Sequence, residues 1–472
     1  LALSGTNSVS GGYDIDNSLK VEPDNTEYLV KTPSSDGNRR TFTISLWLKR
    51  TELGAHMTLF GAQPSSSWTN GNTFQFGFTN DDTFQCGLQT FYVVQTNRVF
   101  RDTSAWYHVV VAVDTTQSTV ANRFKLYING VQETSWLVDQ IYGISQNQDL
   151  GINHTTRHQI GRLIQNGWGF AGYIAEMHNV DGQQLAPTSF GEFDDDSGIW
   201  KPKAYTGTYG TNGFYLDFAD AADLGDDESG NGNDYTENNI AAADQATDTP
   251  TNNFATGNPL LYFSTATTVS EGATKIAKGA NGWEMLASTM AVTKGKWYVE
   301  VRNETMPESA MASIMPDDIE LIFRGGQITN YPGKIVGDEG QGYYSYNGKY
   351  YRNGGFEDYG ASWTGSANTI GIALDMDNGK LYFAKDNTWQ NSGDPTSGST
   401  GTGAIDVLAP TKPHLIGYTP YAANTDGFIN FGGFTGAGIS SGESDANGYG
   451  NFEYAPPSGY YALCTKNLAE YG

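Results

Sequence analysis

The sequence predicts an all-β fold, two antiparallel sandwiches in series joined by a Gly/Asn/Asp-rich stretch. Three observations carry that expectation. Across 472 residues, charged side chains make up only 17%, aromatics reach 13% and glycines number 58, a composition of strands and turns. Several windows alternate apolar and polar residues with the two-residue period of a strand buried on one face. Asn-Gly pairs punctuate such windows, and these residues tolerate the positive φ values that close a hairpin.

In chain order, residues 41–49 ("TFTISLWLK") set Phe42, Ile44, Leu46 and Leu48 on one face. Residues 106–114 ("WYHVVVAVD") are apolar on both faces and belong in the middle of a sheet. Residues 123–133 fold back at Asn129-Gly130, which pairs Ile128 with Val131 and Leu126 with Glu133. Residues 194–259 then turn Gly-, Asn-, Asp- and Thr-rich, with a short β piece at 213–219 and prolines at 250 and 259. The expected division is a first sandwich over 1–200, a junction carrying the opening strands of the second domain over 201–259, and a second sandwich over 260–472. In residues 294–304, Trp297, Val299 and Val301 alternate with Tyr298, Glu300 and Arg302. The strongest hairpin is 369–387: with Asn378-Gly379 as its turn, Asp377 faces Lys380, Met376 faces Leu381 and Leu374 faces Phe383. Asn347-Gly348 marks a further turn. Residues 388–403 read as an exposed Gly/Ser/Thr loop, and 307–323 as a place for one or two helical turns.

The formal charge is −25, from 52 acidic and 27 basic residues, with no basic block. Such a surface repels phosphate backbones and anionic lipid, so the expectation is no nucleic-acid partner and no membrane insertion. No apolar run approaches membrane-spanning length. Cys86 and Cys464 are the two cysteines; far apart, they predict separate buried thiols, neither a disulfide framework nor a Cys-based metal cluster. Residues 1–20 carry neither an initiator Met nor a signal pattern, which reads as a trimmed piece of a longer protein.

Three ordered windows resemble a laminin-G, or concanavalin A-like, jelly roll: 13–50 ("YDIDNSLKVEPDNTEYLVKTPSS…TFTISLWLKR"), 105–133 ("AWYHVVVAVDTTQ…RFKLYINGVQE") and 158–185 ("HQIGRLI…FAGYIAEMHNVDGQQL"). "KGKWYVEVRNE" with "IGIALDMDNGKLYFAKDNTW" resembles a SPRY domain over about 260–465. Together with "FGEFDDDSGIWKPKAY" and "DTPTNNFATGNPL", the pairing is similar to concanavalin A-like structural proteins of marine tailed bacteriophages. That resemblance implies two concanavalin A-like sandwiches on the surface of a virion, head or tail, as a fibre, decoration or adhesion protein. The implied partners are other virion proteins, further copies of the chain and host-surface glycans. "DESGNGND" also resembles the opening turn of laminin-G modules.

Three constellations invite a chemical reading. Asp227, Ser229, Asn231 and Asn233, with Gly232 between, fit the first half of a calcium loop, where oxygens on alternate residues converge on one ion. Position twelve is Asn238, so the bidentate carboxylate is missing, and the competing reading is an Asn/Gly turn bonding its own backbone. No cofactor is required by the sequence; calcium is the optional one. A retaining glycosidase needs two carboxylates about 5–5.5 Å apart. The nearest approach to that, Glu176 and Asp181, is five residues apart on one strand and therefore faces opposite ways. His154 and His158 have zinc-pair spacing without H-E-x-x-H or a helix, and His108 reads as a core histidine. No nucleophile elbow, phosphate loop or dinucleotide fingerprint is present.

Aromatics offer the better lead. Residues 341–363 hold Tyr343, Tyr344, Tyr346, Tyr350, Tyr351 and Trp363 among Asn, Gly and charged residues. Such rings stack on sugars at low entropic cost, and they equally suit a protein contact or the packing of a strand. The expectation is a non-enzymatic virion structural protein that binds glycans or proteins through loops. A secreted or surface carbohydrate-binding module is the alternative, and a glycoside hydrolase the third.

Overall fold

A computed structural model describes residues 12–63, 73–88, 91–163, 167–261, 263–305, 309–317, 331–434 and 438–472. Among them the structure is nearly all β, with short 3₁₀ turns and one α-helix, Thr465–Tyr471. The chain forms two compact units, Leu1–Asn253 and Phe254–Gly472.

The first unit stacks two eight-stranded antiparallel sheets. In one, Trp106–Asp114 lies between Phe124–Ile128 and Thr41–Arg50, and Gly172–Asp181 follows, paired with Ser18–Val21. The other runs from Trp136–Asp139 through Phe91–Val99, Thr83–Leu88, Phe74–Phe78, Met57–Gln63 and Arg157–Ile160 to Tyr28–Lys31 and Thr236–Asn238. Alternation decides what meets in the middle: Phe42, Ile44, Leu46 and Leu48 join Phe60, Phe74, Phe76, Phe78 and Phe84 in one core. Each such side chain contributes roughly 1.5–3 kcal/mol on burial.

The Asn129-Gly130 turn forms as read, with φ of 47° and 79° and Val131 opposite Ile128. Strand 41–50, expected to bury one face, buries both. Residues 185–209 cross its outer side, where Val110, Val180 and Phe190 pack with Leu185, Tyr205 and Tyr209. His108 is a core histidine there. It stacks between Trp47 and Trp200 at centroid distances of 4.7 and 5.9 Å, accepts from Trp200 Nε1 and meets Ser45 Oγ. Burial lowers its pKa to about 3.

The boundary expected near residue 200 lies at 253 instead. Phe214–Leu216 pairs with Gly172–Asp181, Thr236–Asn238 with Tyr28–Lys31, and Gln245–Ala246 with Ser18–Val21. Residues 201–253 therefore complete the sheets of the first unit; they do not open the second. Phe214–Leu216 falls in the β piece expected at 213–219, while the turn-rich composition hides Thr236–Asn238 and Gln245–Ala246, which are three and two residues long.

In the second unit a nine-stranded sheet faces a six-stranded one. Lys296–Thr305 pairs with Thr369–Asp375 and Asp426–Asn430 in the first, and Ala310–Pro316 with Gln341–Tyr344 and His414–Pro420 in the second. The expected helical turns at 307–323 are contradicted over 310–316, where Ala310, Ala312 and Ile314 alternate into the core and pairing on both sides overrides helix propensity. Residues 306–308 and 318–330 lie outside the described residues. The 369–385 hairpin exists in a register displaced from expectation: Asp375 faces Lys380 and Leu374 faces Leu381. Buried Asp375 accepts from Asn378 N and Nδ2, closing a four-residue loop. A slip of two residues keeps side-chain parity, so Ile370, Ile372, Leu374, Leu381 and Phe383 still face the core. Half of the 388–403 loop is exposed as expected; Gln390 and Pro395 are buried and the rest is half-buried. Cys86 and Cys464 are separate buried thiols. No helix among the described residues is long and apolar enough to cross a membrane.

Candidate ligand-binding surface

Two adjacent residues of a strand point to opposite faces, and that rule splits the tyrosine-rich segment. Gln341–Tyr344 and Lys349–Arg352 pair so that Tyr343 faces Tyr350. Both point inward with Trp363: Tyr343, Tyr350 and Trp363 belong to the core and are at most 2% exposed. Tyr343 Oη donates to Ala361 O, and Tyr350 Oη accepts from Gln341 Nε2. These three were expected on a ligand surface, and their burial removes them from it.

Tyr344, Tyr346 and Tyr351 stand on the outer side. Tyr344 and Tyr351 meet edge to face at 5.4 Å, Tyr346 lies 6.4 Å from Tyr344, and Phe356 lies 5.5 Å from Tyr351. Three rings from distant segments join them. Tyr331 stacks on Tyr344 and meets Tyr351 at 5.2 Å, while Trp283 contacts Tyr331 at 4.7 Å and Tyr421 at 5.0 Å. Backbone bonds from Gly282 N to Tyr421 O and from Tyr421 N to Ser309 O hold this end in place. Tyr344 Oη donates to Ser309 Oγ, and Lys349 Nζ lies 4.5 Å from the Phe356 ring centroid.

Exposure concentrates at the outer end, with Tyr346 at 65%, Phe356 at 57% and Val336 at 81%. Val336 packs against Gly354, where a Cβ would fall 2.7 Å from Val336 Cγ2. Strand alternation divides the tyrosines into two faces from sequence alone, and the sheet decides which face is buried. Trp283, Tyr331 and Tyr421 carried no local signal, because only the fold brings them together.

The Asp227 loop is a hydrogen-bonded turn. Asp227 Oδ1 accepts from Tyr215 N and Ser229 N, and Oδ2 accepts from Ser229 Oγ and Asn233 N, all within 2.7–2.9 Å. Asn231 Nδ2 donates to Gly210 O and Gly213 O, and Asn233 Nδ2 to Thr211 O and Gly213 O. The carboxylate is engaged by protein donors and both amides present N–H groups to backbone carbonyls, which suits a turn lock better than an ion cage. Asp227→Ala is expected to cost about 2–3 kcal/mol, the loss of hydrogen bonds to a charged acceptor, read by urea unfolding. Millimolar calcium is expected to leave the melting temperature of the unsubstituted chain unchanged.

Glu176 and Asp181 serve two different networks. Glu176 sits in a bulge with φ of 49° and accepts from the Tyr13 and Tyr215 hydroxyls, with His178 Nε2 at 3.5 Å. Burial, then the Glu176 charge, pushes the Tyr13 hydroxyl up to about 12. Asp181 instead accepts from Asn38 N, Asn153 Nδ2 and Asn212 N. His154 and His158 do not converge. His154 Nδ1 meets Asp36 Oδ1, whereas His158 lies on a strand, accepts from Asn153 N and has its pKa lowered to about 4 by burial. Among the described residues no group of three or more His, Cys, Asp or Glu is placed to hold a metal ion.

With this geometry in place, comparison adds one decisive match. Residues 24–182 fit the family model described as the concanavalin A-like lectin/glucanases superfamily, Laminin_G_3. The first unit contains a concanavalin A-like domain. Similar solved structures include the SPRY domain of human HERC1, at 15% identity and TM-score 0.27, covering 35% of this chain and 91% of that one. The PSpry domain of TRIM65 is 13% identical with TM-score 0.28, covering 37% of this chain and 88% of that one. A Bacteroides ovatus protein named as a carbohydrate-binding candidate is 15% identical with TM-score 0.30, covering 48% of this chain and 59% of that one. No curated protein matches the chain.

Proposed function

We propose that this chain is a non-enzymatic binding and structural protein that meets glycans through the outer aromatic surface of its second unit. The observation that carries the reading is the joined file of Trp283, Tyr331, Tyr344, Tyr351 and Phe356, ending in exposed Tyr346. Trp283, 8% exposed, anchors the file from within, Tyr331, Tyr344 and Tyr351 are half-buried, and Tyr346 and Phe356 lie open; exposed apolar side chains grouped in this way mark interaction sites, and tyrosine faces stack on sugar rings. The lectin-type domain matched in the first unit favours carbohydrate as the ligand class. The separate engagement of Glu176 and Asp181 favours binding over hydrolysis, since a glycosidase needs its two carboxylates to converge. The setting we propose is the surface of a tailed-phage particle, on the sequence resemblance set out above. There the chain contacts other virion proteins and further copies of itself.

A printed glycan array probed with the whole chain tests the binding. Tyr346→Ala and Tyr351→Ala are expected to weaken retained signals roughly tenfold, as loss of a stacking ring does, with unfolding midpoints unchanged for the exposed Tyr346. Full retention by both variants would refute the aromatic reading. Immunogold labelling of particles separates a virion component from a secreted module.

A further inference from the structure

Lys49 meets a carboxylate and a carboxamide at once, both from the last residues of the first unit. Strand register sets it between Trp106 and Tyr173 on the two neighbouring strands. Its Nζ donates to Asp248 Oδ2 at 2.7 Å and to Asn253 Oδ1 at 2.8 Å. The side chains of Lys49 and Asp248 are at most 1% exposed, and Asn253 is buried. Each partner is oriented from its far side. Trp106 Nε1 donates to Asp248 Oδ1, while Oδ2 faces the lysine. Asn253 Nδ2 donates to Ser104 O at 2.7 Å, which turns the amide oxygen toward Nζ. A carbonyl bond is about 1.2 Å long, so Nζ lies within about 4 Å of Asn253 Cγ, near the separation from which bound groups react.

An amine held against a carboxamide acylates itself when it has a lone pair and a proton carrier beside it. Burial lowers the Lys49 pKa, with Asp248 opposing that shift, and a buried ion pair sheds its desolvation cost by passing one proton from Nζ to Oδ2. The neutral amine is then a nucleophile. It attacks Asn253 Cγ, and the carbonyl π pair moves onto Oδ1. Asp248 gives its proton to Nδ2 and takes a second proton from Nζ. The oxyanion re-forms the carbonyl, the Cγ–Nδ2 bond breaks and ammonia leaves. One proton stays on the new Nζ–Cγ amide and one on Asp248, so protons and charge balance, and the step needs no oxidant or co-reactant. A neutral amide and a neutral acid replace a buried ammonium and carboxylate, which are costly to keep from water.

We propose that Lys49 and Asn253 are joined by an intramolecular amide bond, formed by the folded chain itself with Asp248 as the proton carrier. The bond links side chains 204 positions apart and pins the last residue of the first unit to strand Thr41–Arg50. Covalent closure over that length removes much of the freedom of the unfolded chain. The bond uses no residue of the aromatic surface, so it stands or falls apart from the glycan reading.

Intact-mass spectrometry of the full chain tests it. The expected mass is about 17 Da below that of the sequence, one ammonia lost. A tryptic digest is expected to hold a branched peptide that joins Thr41–Arg50, uncut at Lys49, to the peptide containing Asn253. Lys20 and Lys278 sit in buried ion pairs with Glu27 and Asp244 and with Glu284; as internal controls they are cleaved normally. Asn253→Ala, which lacks the electrophile, is expected at its full sequence mass with Lys49 cleaved and a lower melting temperature. Asp248→Ala, with its fold checked by circular dichroism, is expected to lack the branched peptide as well. The proposal falls if the folded, unsubstituted chain keeps its full sequence mass. It also falls if the ammonia loss maps to a succinimide at an Asn-Gly pair while trypsin cuts at Lys49, or if either folded variant still carries the branch.

Discussion

Asp248→Ala destabilises the first unit by about 3–5 kcal/mol, the cost of leaving a buried partner charge uncompensated. Lys49 Nζ meets Asp248 Oδ2 at 2.7 Å with both side chains at most 1% exposed, and Trp106 Nε1 donates to Asp248 Oδ1. The same lysine donates to Asn253 Oδ1, and Asn253 Nδ2 reaches Ser104 O. Ser18 Oγ bonds the Asp248 carbonyl, while Thr251 Oγ1 donates to Ile15 O and accepts from Ile15 N. This set fastens residues 245–253 to the sheet. Burial alone lowers the Lys49 pKa, and Asp248 opposes that shift. Urea unfolding measures the loss, and hydrogen exchange should place it in strands 18–21, 41–50 and 245–246. A Lys49→Met/Asp248→Leu pair should recover only part of the stability, because it removes the uncompensated charge but leaves Trp106 Nε1 and Asn253 Oδ1 without these partners. A single substitution within about 1 kcal/mol of the parent would show that the ion pair does not hold the segment.

Trp363→Ala costs about 3–5 kcal/mol in the second unit, as expected for a large ring deleted from a packed core. Tyr343 lies 5.9 Å from Trp363, Phe383 lies 5.5 Å from Tyr343, and Trp363 itself is fully buried. Among the described residues its indole N–H meets no hydrogen-bond acceptor, so the expected loss is one of packing. Trp363→Phe should therefore cost markedly less. In both variants glycan binding should fall only in proportion to unfolding. A folded Trp363→Ala chain with binding abolished would return Trp363 to the ligand surface, against its placement in the core.

These two residues show where reading the chain succeeds and stops. Phe42 to Leu48 and Ile370 to Phe383 announce their core faces through a period of two, and Asn129-Gly130 announces its turn. The shifted register at Asp375 was not visible. A buried carboxylate capping Asn378 selects the longer loop, and that preference depends on burial more than on residue type. Trp363 and Tyr343 sit in the same sequence cluster as Tyr346, and composition gives them the same weight. Only the sheet, by assigning one face to the core, separates anchor from surface.

Local chemistry by itself determined that this chain folds as antiparallel strands with tight turns, because side-chain alternation is a property of neighbours along the chain; the concanavalin A-like domain was legible only as a resemblance of ordered windows. Tertiary structure alone decided that residues 201–253 complete the first unit, that Trp283, Tyr331 and Tyr421 gather beside Tyr344, and that Asp181 binds loops together. Each of those outcomes joins residues tens to hundreds of positions apart. Their partners are chosen by which surfaces the sheets bring together, and no local pattern in the chain encodes that choice.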